Sequence, residues 1–447
     1  MLYPHQTAGA EWLAATPRAA LLDDPGLGKT ITAIVAADLV KARRILVIAP
    51  TCVVWNWRHE FSLWSKDRIN LRVHVITTGA TRPDPDATVV IVTHGLLLSK
   101  TLRTRLLLGR FDLCILDESH FFRGHAAKRS AFFYGRGRHG GPGVTGIADV
   151  CKRVWCLTGT PMPNDASDLW TMAHGLWPGA FPDGFGAFRA HYCETTWSPY
   201  GDNVKVVGNR NVAELREQLR GRVLRRRKAD VLDLPPVRHE TVNLRPTSMP
   251  HELALMQGEL DDNLVAQLEN ADTADDAFAL LGANKAFAAF RRLCGIAKAQ
   301  AASELLAMEL ASGALAKVVV MAHHTAVVDA IATSLSAYGV RTITGATSAK
   351  GRTAAVDAFQ TDPGVRVIVC NILAGGTGTT LTAASELVFV ELSFVPGENV
   401  QAADRIRRIG QDSPCRVRFI ALDGTLDEAI VGVLRRKVAM IREVLAK

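Results

Sequence analysis

The sequence predicts an α/β protein of two lobes, each a mainly parallel sheet flanked by helices, with helical insertions between them. Three observations predict it. At 447 residues the chain exceeds what one ordinary core covers. Short apolar runs alternate with helix-like segments over two separate regions, and near-continuous apolar strands divided by helices mean parallel sheets covered on both faces. Between those regions lies a stretch with no strand signal.

In the first region, strands are expected at Ala19 to Leu22, Ile45 to Ala49, Val89 to Thr93, Leu113 to Leu116 and Val154 to Leu157. In the second they are expected at Val318 to Ala322, Arg341 to Ile343, Val365 to Cys370, Leu387 to Leu392 and Val417 to Leu422. The intervening stretch, about Ala187 to Ser312, reads as helical and is broken at Leu234-Pro235-Pro236, since two prolines cannot sit inside a helix. The expected organisation is a first lobe at 1–185, a helical insertion at 186–233, a linker at 234–245, a helical insertion of the second lobe at 246–312, and the second lobe at 313–447. Acidic residues from Glu259 to Asp276 point to a solvated face away from any polyanion, and the six glycines between Tyr134 and Gly146 to a surface loop.

Hydrophobic residues at 48% and charged residues at 21% exclude a fibrous or extensively disordered chain. No apolar run approaches the roughly 20 residues of a membrane span, and no secretory signal is visible, so a cytosolic location is expected, or a nuclear one in a eukaryote. The eight cysteines form no Cys-x-x-Cys pair and read as buried thiols. A net charge of +8 favours a polyanionic partner.

Chemistry concentrates in a few motifs. Asp23-Asp24-Pro25-Gly26-Leu27-Gly28-Lys29-Thr30 follows a strand and opens a helix, as a phosphate cradle requires. Gly26 and Gly28 admit backbone N–H groups to the phosphates, Lys29 suits the β- and γ-phosphates, and the Thr30 hydroxyl suits Mg²⁺. Position 23 is Asp where the strict pattern has glycine. The apolar strand Leu113 to Leu116 ends in Asp117-Glu118, placing carboxylates where an ATPase needs them: Asp117 for Mg²⁺ and Glu118 for the attacking water. Trp55 and Trp57 read as core residues beside an amphipathic helix rather than base-stacking groups. His323 and His324 form no metal-ligand spacing.

Asp117-Glu118-Ser119-His120, Leu157-Thr158-Gly159-Thr160-Pro161 and Ile48-Ala49-Pro50-Thr51 with Asn56-Trp57-Arg58-His59-Glu60-Phe61 resemble the Swi/Snf-related ATPases of helicase superfamily two. Downstream, Leu224 to Leu232 with Leu234-Pro235-Pro236, then Ala374 to Gly378, then Gln401 to Gln411 agree in order, so the resemblance covers nearly the whole chain. Val320 to His324 and Gly295 to Lys298 are most similar to the annealing-helicase branch.

The resemblance implies two RecA-like lobes, ATP with Mg²⁺, and a double-stranded or branched DNA partner for a DNA-stimulated ATPase that translocates on duplex DNA. It implies adenine recognition by Gln6, nucleotide contacts that include Asp24, Gly376 and Gln401, and arginine fingers at Arg405 and Arg408. Backbone-phosphate contacts fall on Thr51, Thr93, Thr160 and Thr379, with basic residues of Leu224 to Lys228 beside them. Thr380 stands where the family usually has asparagine. With no chromatin-reading, nuclease or zinc module recognised, a monomer targeted by inserts or protein partners is expected. A motor on RNA or an RNA polymerase complex, and a non-hydrolysing ATP-gated clamp, are the alternative readings.

Overall fold

A computed structural model describes residues 2–65, 70–135, 145–162, 165–182, 184–197, 204–245, 251–259, 285–375, 379–393, 396–432 and 434–435. The chain divides into two compact units, Met1–Val231 and Leu232–Lys447.

The first unit holds a seven-stranded parallel sheet built from β1 (Arg18–Leu21), β2 (Ile45–Ala49), β3 (Val73–Ile76), β4 (Val89–Thr93), β5 (Leu113–Asp117), β6 (Arg153–Leu157) and β9 (Val223–Leu224), in the order β3-β4-β2-β5-β6-β1-β9. Successive strand residues point to opposite faces, and both faces are covered. Ile45, Val47 and Ala49 of β2 join one apolar cluster, whereas Leu46 and Ile48 join the other. Burying each of these Ile, Leu and Val side chains stabilises the fold by roughly 1.5–3 kcal/mol, which is why the strand is apolar at every position. Helix α1 (Pro4–Ala15) packs on α2 (Lys29–Leu39), and α3 (Val54–Trp64) lies against β3 and β4.

The second unit holds a six-stranded parallel sheet of β10 (Val237–Leu244), β11 (Val318–Ala322), β12 (Val340–Ile343), β13 (Val367–Asn371), β14 (Glu386–Phe389) and β15 (Cys415–Leu422), ordered β10-β15-β14-β11-β13-β12. Val319 and Met321 face one apolar cluster, while Val318, Val320 and Ala322 face the other. Two parallel sheets flanked by helices are the expected architecture, and all ten expected strands are present, their ends agreeing or shifted by up to three residues.

The stretch read as strandless is not. It contains an antiparallel hairpin, β7 (Cys193–Trp197) with β8 (Val204–Asn209), as well as β9 and β10. In β7 only Cys193 is buried, so the hairpin presents no apolar run. Strand β10 carries Arg238, His239 and Glu240 in an edge position, where one flank of hydrogen-bonding groups and much of the side-chain surface stay near water. The long helix Lys285–Ala311 fits the helical reading of the same stretch. Residues 260–276 of the acidic run and 136–144 of the glycine-rich loop lie outside the described residues.

All eight cysteines are unbridged, and all but Cys52 are buried. Among the described residues no helix is long and apolar enough to cross a membrane.

Candidate nucleotide and nucleic-acid site

Strand β1 delivers the chain to a turn that enters α2 through two left-handed glycines, Gly26 at φ 91° and Gly28 at φ 80°. Gly28 is the residue preceding the helix; its left-handed conformation favours glycine, and a Cβ there would also displace the Gln6 amide. Gln6 is buried at the edge of this loop, its Nε2 donating to the Leu27 carbonyl (3.3 Å) and its Oε1 accepting from the Tyr3 N–H (3.1 Å). The Lys29 ammonium folds over the loop and donates to the carbonyls of Asp23 (2.6 Å) and Asp24 (3.2 Å). Thr30 follows within the first turn of α2.

The structure gives Asp23 a physical reason. Its buried carboxylate accepts from Arg226 through the backbone N–H (3.0 Å), Nε (3.1 Å) and the terminal guanidinium nitrogen Nη2. Arg226 Nη1 reaches the His5 carbonyl, while the Asp24 carboxylate accepts from the Lys228 N–H (3.0 Å). Thus the Leu224 to Lys228 segment, expected to offer cations to DNA, turns Arg226 onto the phosphate loop; Lys228 is buried, and Arg227 pairs with Asp230 (2.8 Å). Removing one partner of a buried pair typically costs about 3–5 kcal/mol. Arg226→Met is therefore expected to destabilise the first unit by that order in urea titration, and Asp23→Gly in the same chain to recover much of the loss; additive effects of the two substitutions would contradict the pairing.

Strand β5 ends at Asp117, and Glu118 takes a left-handed conformation (φ 47°, ψ 52°) that turns the chain sharply. Such a conformation is uncommon for a side chain other than glycine, and it gives Asp117 Oδ1 the Glu118 N–H as donor (3.0 Å). Asp117 Oδ2 accepts from the Trp57 indole N–H (2.8 Å), and its backbone carbonyl accepts from His94 Nε2 (2.9 Å). Burial drives His94 down to about 4, so the ring is neutral, and the carbonyl partner assigns the proton to Nε2. Burial, and next the Glu118 charge, push the Asp117 carboxyl up to about 7, against the lowering effects of the Trp57 bond and the Lys29 ammonium. A carboxylate crowded in this way gains from a cation at its side.

Glu118 is tied in turn to the segment that follows β6. His120 Nδ1 lies 2.8 Å from the Thr158 hydroxyl, 3.3 Å from that of Thr160 and 3.1 Å from Glu118 Oε2, and the Thr158 hydroxyl donates to the same carboxylate oxygen at 3.4 Å.

Among the threonines expected at a phosphate backbone, Thr51 is exposed, whereas Thr93, Thr160 and Thr379 are buried. The Thr379 hydroxyl donates to the Gly375 carbonyl (2.6 Å). In the second unit Arg405 is buried, with Nε on the Gln401 carbonyl (3.0 Å) and Nη1 on the Thr379 carbonyl (3.2 Å). Arg408 is half-buried and donates to the Asp404 carbonyl (3.1 Å) and the Thr380 hydroxyl (3.4 Å), which gives the unusual Thr380 a partner. Gln401 is buried, and Gly376 lies outside the described residues.

Trp57 is a core residue, as expected, yet its ring nitrogen serves Asp117; Trp55 is not core, being 40% exposed with Arg58 stacked on it. The role of His94 and the pairing of Asp23 with Arg226 are not legible in the sequence, because the partners are remote in it. Glu391 accepts the backbone N–H groups of His323 and His324 (2.9 and 2.8 Å) and lies 2.7 Å from His324 Nδ1.

The donor set fits a nucleotide with Mg²⁺: a glycine loop closed by an ammonium that serves carbonyl oxygens, and a half-buried pair of carboxyl groups in which burial and the Glu118 charge push the Asp117 carboxyl up. With two parallel α/β sheets, these features define the class of superfamily-two helicase-like proteins. The chain belongs to the SNF2-related family within it, the SNF2-related domain matching residues 5–277 and the helicase conserved C-terminal domain matching residues 297–410.

Relatives of the annealing-helicase branch agree with the motif reading. The chain is 30% identical over 450 residues to the DNA annealing helicase and endonuclease ZRANB3 of Homo sapiens, covering 98% of this chain and 40% of that protein. It is 31% identical over 459 residues to the SWI/SNF-related matrix-associated actin-dependent regulator of chromatin subfamily A-like protein 1 of Bos taurus, covering 99% and 44%. The Caenorhabditis elegans homolog of the latter is 30% identical, covering 99% and 62%. The chain thus spans 40% to 62% of the length of these relatives. The Sulfolobus solfataricus SWI2/SNF2 ATPase core in complex with dsDNA aligns over 99% of this chain and 92% of that one, at 22% identity and a TM-score of 0.45.

Proposed function

We propose that this chain is a DNA-stimulated ATPase that translocates on double-stranded DNA, with fork remodelling, strand annealing or displacement of bound protein as its output. The observation that carries the proposal is the Asp117-Glu118 turn, whose carboxyl groups are held in place while Lys29 lies near enough to lower the Asp117 pKa. Family membership and relatives named as annealing helicases support DNA as the partner. The net charge of +8 agrees with it.

In this reading Lys29 exchanges the carbonyls of Asp23 and Asp24 for the β- and γ-phosphates, with Gly26, Gly28 and Thr30 completing the cradle and Asp24 beside it. Mg²⁺, when bound, neutralises charge developing on the phosphate oxygens, and Thr30 and Asp117 are the residues to hold it. Glu118 orients and deprotonates the attacking water, with His120 and Thr158 fixing its carboxyl. Gln6 reads adenine, and Gln401 and Gly376 are further candidate nucleotide contacts. Arg408 supplies the guanidinium that meets the transferring phosphoryl group, while Arg405 holds the segments of Gln401 and Thr379 together.

Thr51, exposed, is the foremost candidate for a DNA phosphate, and Thr93, Thr160 and Thr379, each buried within its own unit, are the further candidates. Contact with phosphate rather than bases makes affinity insensitive to sequence and steeply dependent on salt. The chain acts as a monomer, in the cytosol or, in a eukaryote, the nucleus, with protein partners for targeting. Phosphate release measured with matched duplex DNA, branched DNA, single-stranded DNA and RNA tests the reading: duplex or branched DNA is expected to stimulate most. Stimulation by RNA alone would move the chain to RNA, and no phosphate release with any of them would make it a nucleotide-gated clamp.

A further inference from the structure

We propose that Trp57 is a positioning residue for the Mg²⁺ carboxylate: its indole N–H holds Asp117 Oδ2 at 2.8 Å and fixes the torsion at which that carboxyl meets the metal. The inference rests on the ATPase reading above. Trp57 is 1% exposed, and α3 delivers it from 60 residues upstream of its partner. A buried indole N–H usually finds an acceptor. Trp155 and Trp177 take backbone carbonyls, those of Thr16 (3.0 Å) and Arg18 (2.9 Å). Trp57 instead reaches a carboxylate at the end of the central strand β5. The Trp57 ring is held in the apolar cluster of that sheet face.

Each oxygen of Asp117 therefore has one fixed donor, Glu118 N–H on Oδ1 and Trp57 N–H on Oδ2, which leaves each oxygen with acceptor capacity in a set direction. Outer donors of this kind orient metal-binding groups, and their loss typically weakens metal affinity by about 10- to 100-fold. A merely structural tryptophan predicts no such loss, because phenylalanine in its place keeps most of the packing.

The test uses the full chain and Mn²⁺ as the probe, with free Mn²⁺ read by electron paramagnetic resonance in the presence of ADP. Trp57→Phe is expected to weaken Mn²⁺ binding about tenfold or more while leaving ADP affinity in EDTA unchanged. Under limiting Mg²⁺, kcat is expected to fall and to recover as Mg²⁺ is raised, with KM for ATP unmoved. Phe61→Leu, a packing change on the same helix without the Asp117 contact, is expected to bind Mn²⁺ as wild type does. Should Trp57→Phe fail to fold, benzothienylalanine at position 57 keeps the ring shape, replaces N–H by sulfur and is expected to give the same Mn²⁺ loss. Unchanged Mn²⁺ affinity without the N–H, or an equal loss in Phe61→Leu, would overturn the inference while leaving the ATPase reading intact. Wild-type chain that binds neither ADP nor Mn²⁺ would overturn both.

Discussion

Replacing Glu118 by glutamine is expected to preserve ATP binding and to lower turnover by about 10²- to 10⁴-fold, the usual contribution of a positioned general base. Its carboxyl is not a phosphate ligand in this account; it is held by Thr158 and His120 at the turn after β5. Glutamine keeps the shape and one accepting oxygen, so the turn should persist, but it cannot take a proton from water. Lys29→Ala is the complementary case: the cradle loses its ammonium, and tight ATP binding is expected to disappear. Fluorescent-nucleotide binding and phosphate release on both variants check the two roles. A near-normal rate in Glu118→Gln, or wild-type ATP affinity in Lys29→Ala, would contradict the assignment.

Arg408→Ala is expected to leave ATP affinity within a few-fold and to reduce kcat by something like 10³-fold, the scale seen for arginine fingers. Arg405→Ala is expected to behave differently. The Arg405 guanidinium is buried and serves the carbonyls of Gln401 and Thr379, so its loss orphans two backbone acceptors and should lower the urea midpoint of the second unit as well as the rate. Arg408 is only half-buried, so water can replace its contacts and its loss should cost little stability. If the stability loss instead accompanies Arg408→Ala, the two roles are exchanged.

The pattern of what was legible follows from chain separation and from burial. Strands such as β2 and β4, buried at every residue on a two-faced sheet, announce themselves as unbroken apolar runs. Strand β10, at an edge and rich in polar residues, and the hairpin of β7 and β8, mostly exposed, carry no such signal.

The site divides in the same way. Lys29, Asp117 and Glu118 sit in contiguous motifs, where a loop, a strand end and a helix start can be read locally. The partners that hold them are distant: Asp23 and Arg226 are 203 residues apart, Trp57 and Asp117 are 60, and His120 and Thr158 are 38. Such pairs are brought together by strand order, as when β9 docks beside β1 and carries Arg226 onto the phosphate loop. Local spacing holds no record of that order. The Asp at position 23, a departure when seen as part of a glycine motif, becomes the natural partner of a buried guanidinium once the sheet is known.

The central claim is directed movement along duplex DNA without strand separation, and displacement of a third strand tests it most directly. A short oligonucleotide bound as a triplex on a longer duplex should be released by this chain in an ATP-dependent reaction, while a blunt duplex of matched length stays paired under the same conditions. Glu118→Gln should release nothing. Failure to displace the third strand despite DNA-stimulated hydrolysis, or ready unwinding of the blunt duplex, would contradict the claim and make the chain either a stationary ATPase or a strand-separating helicase.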